Sequence, residues 1–231
     1  NLPLMREGRL DAAFMVAYIP QGDRNAAALQ KATDYATDRL TQVIEQAKRY
    51  PHQMGIAQSP DELRRLKDEG KKAILLGIEN GYALGKDLTN LHRFRLMGVS
   101  YITLCHNGDN DICDSARGSN LHGGVSKFGI EVIKEMNRNG IMVDLSHGGE
   151  KSFYDALEIS SQPIVCSHSN SKALCDVPRN LTDDQLKALA KKGGVAHITL
   201  YGGFLCKGGT ASILDAIAHL EHAINIMGID H

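Results

Sequence analysis

The sequence predicts a parallel α/β fold, either a doubly wound sheet or a (β/α)8 barrel, and three observations carry that prediction. Short apolar runs alternate with longer amphipathic stretches along all 231 residues. The runs are often β-branched, as strands buried on both faces of a parallel sheet are. Helix start and stop signals fall between them. Six strand–helix alternations with no internal repeat, low-complexity segment or linker leave a single domain over residues 1–231.

Ala12–Ile19 is the first expected strand. Ala26–Arg49 follows as a helix, with Leu29, Leu40, Val43 and Ile44 at helical spacing. Ser59–Glu69 is the next helix, and Ser59-Pro60-Asp61-Glu62 places Pro at a first helical position. Then come the strand Ala73–Glu79, the helix Asp87–Met97 and the strand Val99–His106. The segment from Asn107 to Lys127, rich in Gly, Asn, Asp and Ser, is expected to loop over one face of the sheet, and unstructured loops of that length are usually functional. Lys127–Asn139 is helical, with Ile130, Val132 and Ile133 on its apolar side. The strand Ile141–His147, the helix Lys151–Ile159 and the strand Pro163–His168 follow. Thr182-Asp183-Asp184-Gln185 is a capping box opening the helix Thr182–Lys191; the strand Val195–Tyr201 and the helix Ser212–Met227 complete the series. Gly70, Gly98, Gly140 and Gly193 end helical stretches where a left-handed cap is wanted.

Composition narrows the function. With 26 basic against 27 acidic residues the net charge is −1, which excludes the electrostatic footprint of a nucleic-acid binder or a polybasic membrane binder. No apolar run approaches the roughly 18–20 residues that span a bilayer. No G-x-G-x-x-G or Walker motif follows a strand. Five Cys are too few for a disulfide scaffold, and an odd count leaves one thiol unpaired.

The chemistry lies where the strands end. Glu79, His106, His147 and His168 each close one of four consecutive predicted strands, and residues two positions back along each strand are apolar or small. Side chains two apart share a face, so these four project from one mouth above a packed interior, the place where barrel enzymes keep their active sites. A buried carboxylate needs a cation or hydrogen bonds to compensate it. Three His and one Glu without Cys match a catalytic zinc-like centre better than a structural one. His52, His92, His122, His219 and His222 are expected to be solvated, and His197 to be a packing residue inside a strand. Cys166 is expected as a small buried residue. Without a G-x-S-x-G elbow, Ser146 and Ser167 are supports for the adjacent histidines rather than nucleophiles.

Several segments together match a known family: Gly77-Ile-Glu-Asn-Gly81, Leu96-Met-Gly-Val-Ser-Tyr-Ile-Thr-Leu-Cys-His-Asn107, Asn137-Arg-Asn-Gly-Ile-Met-Val-Asp-Leu-Ser-His147, Pro163-Ile-Val-Cys-Ser-His-Ser169 and Arg179-Asn-Leu-Thr-Asp-Asp184. Over essentially its whole length the chain resembles the renal (membrane) dipeptidase family of zinc peptidases, (β/α)8 barrels with a two-zinc centre. The resemblance implies that Glu79 bridges the two metals and that His147 and His168 bind the second. It implies that His106 contacts substrate and the tetrahedral intermediate, that Arg179 holds the bound dipeptide, and that Tyr201 lines the pocket. Two zinc ions would then share a water acidified to a pKa of about 7, and the resulting bridging hydroxide attacks the peptide carbonyl. The substrate implied is a dipeptide, with homodimerisation open.

The family's first strand carries a His-x-Asp pair for the first zinc, and its eighth an Asp that handles the catalytic proton; neither lies within the 231 residues. The expectation is therefore a stretch of a longer barrel, covering strands two to seven. Cys175 and Cys206 coincide with positions that pair in some family members, which would favour an extracytoplasmic compartment; two free buried thiols in a cytoplasmic enzyme are the alternative. Cys105 and Cys113 flank the loop as a second pair or as bystanders. Two rival functions stay open: another metal-dependent barrel hydrolase acting on a cyclic amide, lactone or ester, and a noncatalytic binding protein on a defunct barrel.

Overall fold

Seven short strands alternate with nine helices in the computed structural model, which describes residues 1–231. They fall into two units, residues 1–102 with 139–141, and residues 103–138 with 142–231.

In the first unit the order is α1 (Leu2–Glu7), β1 (Ala12–Tyr18), α2 (Ala26–Arg49), β2 (Met54–Ile56), α3 (Pro60–Asp68), β3 (Lys72–Glu79), a 3-10 turn (Gly81–Leu84), α4 (Thr89–Leu96) and β4 (Val99–Thr103). β1 runs parallel to β3 from Ala12 opposite Ala73 to Tyr18 opposite Glu79. The short β2 is parallel to the start of β3, and β4 is the next strand beyond β3. Ala17, Ile74, Leu76 and Ile78 form a buried face. The other face carries Phe14, Val16 and Tyr18 opposite Leu75, Gly77 and Glu79. Gly77 makes room there for Tyr101, whose ring would lie 2.5 Å from an added Cβ and which meets Phe14 edge-on at 5.0 Å. α2 begins as expected, with the Asn25 side chain accepting from Ala28 N, and α3 is capped by Ser59.

The second unit contains the end of β4, then α5 (Lys127–Asn139), β5 (Met142–Asp144), α6 (Glu150–Ile159), β6 (Val165–Cys166), α7 (Asp183–Lys191), β7 (Val195–Ala196), α8 (Gly202–Leu205) and α9 (Ile213–Met227). β5, β6 and β7 pair in parallel, with Asp144 opposite Val165 and Val165 opposite Val195. Leu104 N bonds to Asp144 O at 3.1 Å, joining the end of β4 to β5. The capping box of Thr182 and Gln185 is formed. The four expected cap glycines all have positive φ.

The strands differ from expectation at their ends. Val99–His106, Ile141–His147, Pro163–His168 and Val195–Tyr201 were expected; β4, β5, β6 and β7 stop two to five residues earlier. At β5 the cause is local: Asp144 Oδ1 accepts from Ser146 N at 3.0 Å, an Asx turn that ends the strand, and His147 then takes φ of 78°. The histidines therefore sit on turns just past the strands, not within the strand alternation. His197 is exposed rather than packed, because β7 ends before it. His219 is not solvated: it is 1% exposed, its Nδ1 accepts from Ser171 N at 3.0 Å and its Nε2 donates to Leu205 O at 3.0 Å.

All five cysteines are free thiols. The Cys175–Cys206 bridge implied by the resemblance is not formed: Cys175 Sγ turns to Gly203 O at 3.9 Å and Cys206 Sγ to Thr210 O at 3.2 Å. Burial pushes the Cys166 thiol well above its ordinary value, and a hydrogen bond with Cys105 does the same to Cys113, so neither is a nucleophile at neutral pH. No helix is long and apolar enough to cross a membrane.

Candidate metal centre

Three histidine rings converge within the second unit. His147 Nε2 and His168 Nε2 stand 2.9 Å apart, with ring centroids 4.9 Å apart. The His106 ring centroid is 4.1 Å from that of His147, and a ligand nitrogen of one lies within 4.8 Å of the other's. His147 is buried, while His106 and His168 are half-buried.

The protonation pattern follows from what holds the other ring nitrogens. His147 Nδ1 faces the Asn107 side-chain carbonyl at 3.2 Å, an acceptor only, so Nδ1 carries the proton. His168 Nδ1 lies 2.8 Å from the Ser167 hydroxyl. That hydroxyl donates to Asp144 Oδ2 at 2.6 Å, and so accepts from His168 Nδ1. Both rings thus turn an Nε2 lone pair toward the same point. The two Nε2 atoms are close enough to share one partner, a proton or a metal cation. These two imidazole nitrogens would hold a metal ion such as zinc. The donor set fits a borderline metal such as zinc.

Asp144 anchors this arrangement from below. It is fully buried and accepts four hydrogen bonds: from the Thr103 and Ser167 hydroxyls at 2.6 Å each on Oδ2, and from Ser146 N and Ser167 N on Oδ1 at 3.0 and 2.9 Å. Ser146 Oγ in turn accepts from His168 N at 2.9 Å. Neither serine is placed as a nucleophile. The strand pattern missed Asp144; the signal for it is an acidic residue inside the apolar run Ile141–Leu145, which must find partners.

Arg179 lies beside the histidines. It is 3% exposed, donates to His168 O at 3.4 Å and holds its guanidinium 5.3 Å from the Phe204 ring centroid. Its Nε has no hydrogen-bond partner. Burial pushes the guanidinium down to about 10, against the pull of the Asp144 carboxylate, so it stays charged at neutral pH. A buried cation with an orphaned donor fits a carboxylate or carbonyl partner. Tyr201 stacks edge-on against Phe204 at 4.8 Å and is exposed, at the start of α8. Phe204 therefore links the two residues expected at the substrate pocket.

Glu79, in the first unit, closes β3 and is half-buried. Its carbonyl accepts from Ile19 N at 3.1 Å. The next residue, Asn80, takes φ of 92°, and its side chain bonds Ile19 O and Tyr82 N, so the chain turns sharply just past the carboxylate.

The segment between Asn107 and Lys127 is built on side-chain carboxylates. Asp109 accepts from Ser115 N, Ser119 N, Ser119 Oγ and Leu121 N at 2.7–3.2 Å, and Asp114 from His122 N and Gly124 N. Gly118 is needed there, because a Cβ would fall 1.6 Å from Asp109 Oδ1. Burial works against the Asp109 charge, but the N–H groups of Ser115, Ser119 and Leu121 outweigh it and hold the carboxyl below its usual value. A depressed carboxyl stabilises fully above its unfolded value of about 3.9 and loses that contribution as pH falls through the folded one. Asp109→Ala is expected to make the segment the first site of limited proteolysis at pH 7, with the wild type reaching the same susceptibility only below about pH 4. Equal cleavage rates at pH 7 would show that Asp109 does not order it.

A family model described as membrane dipeptidase (peptidase family M19) matches residues 1–231. An uncharacterized dipeptidase of Schizosaccharomyces pombe is 34% identical over 246 residues, covering 100% of this chain and 58% of that protein. The chain spans about half to three-fifths of the length of the curated relatives it matches. A solved amidohydrolase from Pseudomonas aeruginosa superposes with a TM-score of 0.89 at 30% identity, over 98% of this chain and 66% of that one. A metallo peptidase from Rhodobacter sphaeroides, solved with a phosphinate mimic of the dipeptide L-Ala-D-Ala, gives 0.88 at 25% identity, over 100% and 74%. The fold is that of these α/β barrels, of which the chain forms a part.

Proposed function

Because the chain belongs to the membrane dipeptidase family, peptidase family M19, we propose that it hydrolyses dipeptides at a zinc centre to which Glu79, His147 and His168 contribute ligands. The observation that carries this is the convergence of the His147 and His168 Nε2 atoms at 2.9 Å beside a buried guanidinium whose Nε has no hydrogen-bond partner. Zinc held there would supply a Lewis acid for the carbonyl and lower the pKa of a water to about 7.

The chain's own residues do the rest. His147 and His168 would hold the cation, each with a partner on Nδ1. Glu79 would be the carboxylate that holds the metal, on its strand-end position and the Gly77–Gly81 motif. His106 is assigned to the oxygen that gains charge as the carbonyl becomes tetrahedral, where one donor is worth several kcal/mol. Arg179 orients the dipeptide through its carboxylate or carbonyl, and Tyr201 lines the same side. The Rhodobacter relative's phosphinate mimic has the tetrahedral geometry such a site stabilises, and its sequence motivates testing both L-Ala-L-Ala and L-Ala-D-Ala.

The test is elemental analysis of the purified full natural chain, with a dipeptide hydrolysis assay before and after chelation. Zinc approaching two ions per chain and chelator-sensitive cleavage are expected. Metal without dipeptide cleavage moves the reading to hydrolysis of a cyclic amide, lactone or ester. Neither metal nor cleavage leaves a noncatalytic binding protein.

A further inference from the structure

A histidine pair binds a cation only if the inward nitrogen of each ring is unprotonated, and the ends of β5 and β6 contain a device that decides this for His168. We propose that Asp144 is a positioning residue that acts through the Ser167 hydroxyl to keep the His168 proton on Nδ1 and its Nε2 unprotonated. The consequence for metal binding rests on the zinc reading above; the tautomer itself does not.

The hydrogen-bond directions leave one solution. Asp144 Oδ2 only accepts, and both the Thr103 and Ser167 hydroxyls lie 2.6 Å from it, so each spends its single proton there. Ser167 Oγ then has only lone pairs for His168 Nδ1 at 2.8 Å, and the ring must donate. Ser167 cannot turn away, because its own N–H is held on Asp144 Oδ1 at 2.9 Å. The same oxygen takes Ser146 N, so one carboxylate fixes the turns that carry both His147 and His168. Asp144 is 0% exposed, and no solvent competes for these bonds.

Asp144→Asn inverts the relay. Its amide oxygen is claimed by the two backbone N–H groups, which turns the NH2 toward the hydroxyls. Ser167 then accepts from the amide and donates to His168 Nδ1. The ring proton moves to Nε2, the nitrogen that faces His147.

Long-range 1H–15N correlation of the full natural chain labelled at histidine nitrogens reads the tautomer directly, with zinc present and after chelation. Zinc affinity is measured in parallel by competition with a chromophoric chelator, and circular dichroism checks folding. The wild type is expected to show His168 protonated on Nδ1. Asp144→Asn should move that proton to Nε2 after chelation and weaken zinc binding about 10–100-fold, the usual cost of losing a ligand's supporting hydrogen bond. Ser167→Ala should mix the tautomers with a similar loss, and Ser167→Thr, which keeps the hydroxyl, should restore both readouts; a merely structural role would not track the hydroxyl in this way. If Asp144→Asn does not fold, the Ser167 pair decides alone. Unchanged tautomer and affinity in folded Ser167→Ala would overturn the proposal. A wild type that takes no zinc, while its tautomer follows the Ser167 series, keeps the relay and sinks the zinc reading instead.

Discussion

His147→Ala is expected to leave the protein without zinc at the His147–His168 position and to slow dipeptide hydrolysis by at least about 10³-fold, because without the metal the attacking water is no longer acidified to a pKa of about 7. His147 carries the larger share of the site's geometry. It is buried, its Nδ1 is locked by Asn107, and its Nε2 is the nitrogen 2.9 Å from that of His168. Alanine also meets a backbone cost, since φ at this position is 78° and a left-handed conformation costs an ordinary residue roughly 1–2 kcal/mol. His147→Asn separates the two effects. Asparagine tolerates the left-handed region, so the turn after β5 is kept while the imidazole is removed. Zinc should be lost from both variants, with thermal stability recovered only in the asparagine one. Stoichiometric zinc in His147→Asn, measured by elemental analysis, would show that His147 is not a ligand.

The residues that were legible in the sequence are those whose signal is local. α2 and α5 were recovered with their full bounds, because long apolar periodicity and end signals agree. The capping box at Thr182 and the cap at Ser59 formed for the same reason. α1, β2 and α8, at six, three and four residues, are too short to carry a period. The histidine positions stood out because polar, metal-ligating side chains end apolar runs, whereas Arg179 came only through the resemblance. What sets their chemistry was not legible. The Asn107–His147 contact spans 40 residues and the Asp144–Ser167 contact 23, and neither leaves a pattern along the chain. His219 escapes the sequence for the same reason, since a helical histidine looks solvated and the backbone of Ser171 that it meets lies 48 residues away. The strand ends were drawn too long because alternation cannot register an Asx turn.

His106→Ala is expected to keep its zinc and lose turnover by roughly 10²–10³, the cost of one donor to a developing oxyanion, about 2.7–4 kcal/mol. KM should change little, because the interaction strengthens only as the carbonyl becomes tetrahedral. The His106 ring lies as near to His147 as His168 does, and its ligand nitrogen is within reach of a shared ion. What separates ligand from donor is which observable moves. A ligand's removal lowers zinc content and kcat together; a donor's removal lowers kcat at constant zinc. His106 also opens the Asn107–Lys127 segment, with its backbone carbonyl accepting from the Ser115 hydroxyl, so the ring is carried by a loop braced on Asp109 and Asp114. A group held by a braced loop at half exposure is more open to an incoming substrate than the buried His147. Loss of zinc in His106→Ala would reverse this assignment and make His106 a third imidazole ligand of the centre.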